Sequence, residues 1–223
     1  MSSSPLVAAV VFHIGPVPIT APVVTTWAIM AILAAGSFLL TRRLAILPGI
    51  RQTVVEVVVT AIQDQLAEVM QDRAGRFLPL LGTLFLFIVF ANLSGVVPGV
   101  AAPTASLETA AALALIVFLA TQYFGVRAQG LLGYLGHFTK PTIVMLPLNL
   151  VGEITRTFSL MVRLFGNIMS GEFVIALVVA LAGLFVPVPL MVLEVLVGLV
   201  QAYIFTMLAA VFIGAATGRG EAI

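Results

Sequence analysis

Residues 147–184 read PLNLVGEITRTFSLMVRLFGNIMSGEFVIALVVALAGL, with no proline after the first position. A helix over these 38 residues, rising ~1.5 Å per residue, is ~57 Å long, nearly twice the ~30 Å of hydrocarbon in a bilayer. It must cross a membrane at a strong tilt or break. Most of its side chains are Leu, Val, Ile, Phe, Met and Ala, yet Glu153, Arg156, Arg163 and Glu172 lie among them. A guanidinium at membrane depth costs about 2.5–3.5 kcal/mol on insertion scales and about 10–17 kcal/mol on an isolated helix in simulation. Arg163 is therefore a functional position by default.

The rest of the chain has the same character: 61% of its 223 residues are hydrophobic and 9% charged, against about 25% charged in a soluble domain. Its apolar runs are ~18–25 residues long and lack the strict alternation of barrel strands, which predicts an all-α integral membrane protein. The expected single domain begins with an exterior N-terminal segment over residues 1–22 and has spans over 23–40, 77–97 and 107–126. It ends in a long, tilted helical hairpin over 142–216, for about five membrane-crossing helices in all. Between the first two spans, residues 48–76 scatter Arg51, Glu56, Asp64, Glu68 and Asp72 among Val, Leu and Ala. That pattern suits an amphipathic helix on the cytoplasmic surface, with a soluble helical hairpin as the alternative. Helix-stopping residues follow at Pro98-Gly99 with Pro103 and at Pro187-Val188-Pro189, and a glycine-bearing connector is expected between Arg127 and Lys140.

Charge fixes the expected orientation. The exterior segments, residues 1–22, 98–106 and 185–189, contain no Lys or Arg. Basic loops stay on the cytoplasmic side, so the N-terminus is expected outside and the C-terminus in the cytoplasm. A net charge of +1 offers no basic patch for nucleic acid, and the absence of cysteine removes disulfides and thiolate metal sites. There is no GxxxxGKS loop and no HExxH, and His13 and His137 stand far from other ligands, so no enzyme active site, metal or cofactor is expected. Residues 1–12 lack a basic n-region and a long apolar run, so a cleaved signal peptide is not expected. No internal repeat argues for an inverted-repeat transporter.

Helical spacing sorts the intramembrane polar residues. Arg156 and Arg163 are seven apart and share a face to within about 20°, and Asn167, four beyond Arg163, lies on it too. Glu172 is nine positions on, so it points to the opposite side, ~13.5 Å nearer the exterior. In the last helix Glu194 and Gln201 form one polar stripe. Arg163 cannot carry a proton, because a guanidinium stays protonated in proteins. It is a fixed charge that, ~4 Å from a carboxylate at an effective dielectric of ~20, favours the ionised form by about 4 kcal/mol, or about three pKa units. A carboxylic acid moved beside it would discharge its ion, and Glu172 and Glu194 can titrate and so suit a relay. Structural readings stand beside these: an ion pair of Arg163 with Glu153 or Glu172, although Glu153 pairs more naturally with Arg156, and buried hydrogen bonds for Glu172, Glu194 and Gln201. Gly166, Ser170 and Gly171 fit either close packing within the chain or a partner helix passing Arg163. An ion path, a stand-alone secondary transporter of an anionic substrate and a structural membrane anchor all remain open at this point.

Two stretches narrow the choice. Phe158-Ser159-Leu160-Met161-Val162-Arg163-Leu164-Phe165-Gly166-Asn167 resembles one signature of subunit a of F-type ATP synthases, and Leu199-Val200-Gln201-Ala202-Tyr203-Ile204-Phe205 resembles the other. Residues 85–93, Pro98-Gly99 and Pro103-Thr104-Ala105 add to a likeness that spans nearly the whole chain in order. The resemblance implies a non-catalytic stator subunit of a bacterial plasma (inner) membrane, held by peripheral-stalk b subunits against a rotating c-subunit ring. It further implies two offset half-channels carrying H⁺ or Na⁺. Arg163 would face the ring carboxylate; Glu172, Asn167, Glu194 and Gln201 match positions of the exterior half-channel, and Ser159 lies toward the other. Secondary candidates are Arg156, Glu153, Glu108 and Asn92. The chain departs from the family where Ser106 and Glu108 replace a frequent Asp and Asn, and where both relay positions are carboxylates although many relatives have one histidine. That leaves the coupling ion open.

Overall fold

A computed structural model describes residues 10–14, 17–42, 49–70, 74–97, 100, 102–139, 145–183 and 186–218. The expected stops at Arg43, Pro98-Gly99, Lys140 and Arg219 lie outside these residues. The described chain is an all-α protein, with five helices long and apolar enough to cross a membrane. A short antiparallel hairpin, β1 (Val10–Ile14) and β2 (Val17–Thr20), precedes the helices within the expected N-terminal segment. Runs of β-branched and aromatic residues on either side of Gly15-Pro16 carry its signal.

Helix α1 (Ala21–Thr41) begins with Pro22 in its first turn, where a missing N–H costs nothing, and buries only Pro22 and Ile29. Helix α2 (Ile50–Met70) seals Leu66 and Met70 into the core but leaves Val54 and Val57 exposed. Helix α3 (Ala74–Ser94) is central: Phe77, Leu81, Leu84, Ile88 and Ala91 recur at helical spacing and are all buried. Phe77 meets Phe124 edge to face, with ring centroids 4.9 Å apart. A 3₁₀ turn (Pro103–Ala105) then enters α4 (Leu107–Thr139), where Ser106 Oγ accepts from the Thr109 N–H at 3.3 Å as an N-cap.

Helix α4 differs from the expected end at Arg127. It continues to Thr139 across a kink at Gly130, whose φ of 73° only glycine adopts readily. The kink sits beside the end of the last helix, α6 (Val188–Ala216), where Gln129 Nε2 donates to the Ala216 carbonyl at 2.9 Å. Between them α5 (Met145–Ala182) runs unbroken for 38 residues and ends at Gly183, which has φ 82°. α5 leans mainly on α4 and α6 mainly on α3, while the two long helices also touch each other. Two buried hydroxyls bond within their own helices, Thr121 to Val117 O and Thr206 to Ala202 O, which satisfies them without water.

Candidate functional site

Arg163 lies at the middle of α5, eighteen residues from Met145 and nineteen from Ala182. Its neighbours in sequence divide by face: Leu160, Leu164 and Ile168 are buried, whereas Ser159, Val162, Arg163 and Gly166 are exposed. The buried set turns toward the core and carries Arg163 to the surface of the chain. No carboxylate among the described residues pairs with it. One candidate partner is engaged elsewhere, since Glu153 sits 3.6 Å from Arg156 and accepts from Gln122 Nε2 of α4 at 3.4 Å. Arg156 also stacks over the Phe212 ring of α6, 5.7 Å from its centroid, so Arg156 and Glu153 form a separate junction of α4, α5 and α6.

Glu172 and Glu194 come together. Glu194 Oε1 lies 2.7 Å from the point a Cβ on Gly171 would occupy, so this glycine is what lets the α6 carboxylate nest against α5. Glu172 faces the Ala102 backbone N–H, at the start of the 3₁₀ turn, and is close enough to Glu194 for their charges to interact. Gly95 opens space beneath it; a Cβ there would stand 3.5 Å from Glu172 Oε1. The small residues near Arg163 thus split in role, because a Cβ on Gly171 would collide with Glu194 while one on Gly166 would meet no side chain or neighbouring element among the described residues within 4 Å.

Between the carboxylate pair and Arg163 lies an amide step. Asn167 Nδ2 donates to Gln201 Oε1 at 3.2 Å, and Gln201 is 3% exposed. Its Nε2 is buried with no acceptor among the described residues, an orphan donor in the α5–α6 seam. Asn92 bridges further back, donating from Nδ2 to Gly198 O and accepting from Thr104 Oγ1, each at 2.7 Å. Glu108 is not brought to this cluster: it is exposed two residues before buried Ala110, hence about 200° round α4 from the core face. Thr104, Gln122, Gly95 and Gly198 were invisible as site residues, for only long-range contacts give them a part. A Cβ on Gly198 would meet Asn92 Cβ at 3.0 Å. Gly198→Ala is therefore expected to destabilise the detergent-solubilised protein by about 1–3 kcal/mol, read as a lowered thermal midpoint.

A family model described as ATP synthase A chain matches residues 23–214. The chain belongs to this family. It is 67% identical over 218 residues to "ATP synthase subunit a 2" of Bradyrhizobium sp. (strain BTAi1), with 98% of each chain covered. It is 48% identical to "ATP synthase subunit a 1" of Chlorobaculum parvum, with 95% of each covered. "ATP synthase subunit a 2" of Pelobacter propionicus is also 48% identical, with 95% of this chain and 92% of the relative covered. As a member of the ATP synthase subunit a family, with five candidate spans, the chain is a multi-pass membrane component of the ATP synthase complex.

Proposed function

We propose that this chain is the non-catalytic, ion-translocating stator of a bacterial plasma-membrane ATP synthase, coupling passage of H⁺ or Na⁺ to rotation of a c-subunit ring. The observation that carries the reading is Arg163: exposed at mid-helix, without an ion-pair partner among the described residues, and beside Gly166, which leaves open space. A guanidinium left facing lipid is costly, so that face is suited to a partner that brings a carboxylate. Such an acid, ~4 Å from Arg163, is driven to its ionised form and releases its ion. The Glu172–Glu194 pair, reached past the 3₁₀ turn and followed by Gln201 and Asn167, supplies the exterior approach. Ser159, four residues before Arg163 on the exposed side, belongs to the cytoplasmic one. The N-terminus lies outside, the C-terminus inside, and peripheral b subunits hold the chain against the ring.

Gly166 gives the test. A Cβ added at Gly166 meets no side chain or neighbouring element among the described residues within 4 Å, so Gly166→Leu extends into space that is open at its first side-chain atom. It is expected to leave the amount of membrane-inserted chain unchanged and to lower ATP-driven ion uptake of the complex by about tenfold or more, through collision with the passing ring. Normal pumping by this variant would remove the ring from that face.

A further inference from the structure

Asn92, near the end of α3, is bonded on both sides of its amide. Nδ2 donates to the Gly198 carbonyl of α6 and Oδ1 accepts from the Thr104 hydroxyl, both at 2.7 Å, the short end of the range for such bonds. Thr104 is fully buried and Gly198 buried as well, so water does not compete for either bond. The two partners belong to the two elements that touch the carboxylates. Gly198 is one turn beyond Glu194 on α6, and Thr104 follows Ala102, whose N–H faces Glu172. Gly198 also lacks the Cβ that would force α6 away from Asn92.

The geometry points to Asn92 as a positioning residue that sets the spacing of Glu172 and Glu194, with Thr104 as its anchor. This inference rests on the reading that the pair forms the exterior approach. Coulomb interaction falls off as the inverse of separation, so the affinity of two carboxylates for an arriving cation depends on how far apart they are held. Without the amide, α6 is free to shift against the 3₁₀ turn, and the pair loses its fixed spacing. Arg163 lies half-way round α5 from Glu172 and has no bond to this network, so the discharge step is spared. The signature is a split: the exterior ion concentration for half-maximal rate rises, while the maximal rate moves less.

The experiment is ATP synthesis by the assembled complex in proteoliposomes at fixed membrane potential, titrating H⁺ and, separately, Na⁺ on the exterior side. Asn92→Ala and Thr104→Val are expected to raise the half-saturating concentration about tenfold, with the maximal rate within about twofold of wild type. Thr104→Ser keeps the hydroxyl and is expected to behave as wild type. The Asn92→Ala/Thr104→Val pair should be no worse than Asn92→Ala alone, because both delete the same bond. Should Asn92→Ala fail to assemble, the near-isosteric Thr104→Val decides. A lowered yield of complex with unchanged half-saturation overturns the inference, since a merely structural residue behaves that way. Arg163→Ala runs in parallel: activity there overturns the broader reading. A dead Arg163→Ala beside wild-type half-saturation in Thr104→Val overturns the positioning role alone.

Discussion

Arg163→Ala is expected to abolish coupled ion transport while leaving the complex assembled. The fold does not need this side chain. It is exposed, makes no ion pair among the described residues, and its removal opens no cavity, because Leu160, Leu164 and Ile168 hold α5 in place. What disappears is the fixed charge. Its proposed task supplies about 4 kcal/mol toward ionising an incoming carboxylate, which corresponds to about a thousandfold in rate. Arg163→Lys keeps a charge but loses the planar fork and carries a more strongly hydrated head, so a large loss is expected there too. ATP-driven ion uptake in vesicles, normalised to assembled complex by immunoblot, measures both. Wild-type pumping by Arg163→Ala would show that the cation is not the discharging group.

Gly171→Ala is expected to impair coupled transport as well, and again without unfolding. The new methyl would stand 2.7 Å from Glu194 Oε1 and 3.1 Å from its carboxyl carbon, closer than non-bonded atoms tolerate. What it meets is the end of a flexible side chain, so the carboxylate moves and the helices do not. Displacing it from Glu172 is expected to lower coupled transport by about tenfold, and Gly171→Val by more. Shortening the displaced group should relieve the clash: Glu194→Asp in the Gly171→Ala background is expected to recover part of the activity. An additive loss in the double variant would show that the two positions do not collide. The contrast with Gly198→Ala is instructive, because there the obstacle is a Cβ fixed to α3 and the cost falls on stability.

The resemblance to subunit a and the membrane character were legible in the sequence, and so was the oddity of Arg163 in an apolar helix. Helical spacing also placed Asn167 near Arg163 and aligned Glu194 with Gln201, because both statements concern one helix at a time. Spacing failed where the chain changes direction. Spacing gives an undivided exterior segment where the structure pairs Val10–Ile14 with Val17–Thr20, and a connector beyond Arg127 where it has helix, because the glycines from Gly130 to Gly136 have the composition of a break. Gly130 instead bends α4 and lets a further helical segment follow.

One class of fact could not be reached from periodicity. Glu172, facing away from Arg163 on α5, is set beside Glu194 of another helix by the 3₁₀ turn, by two missing Cβ atoms and by α6 lying chiefly against α3. The amide of Asn92 finds partners 12 and 106 residues away. The sequence by itself determined that the chain forms long apolar helices and how the charges are spaced along α5 and α6, since the 3.6-residue period and the solvation cost of charge in lipid act locally. Which faces meet was decided only by the tertiary structure. Where glycine removes a side chain, two helices come within contact distance, and only packing selects the pair.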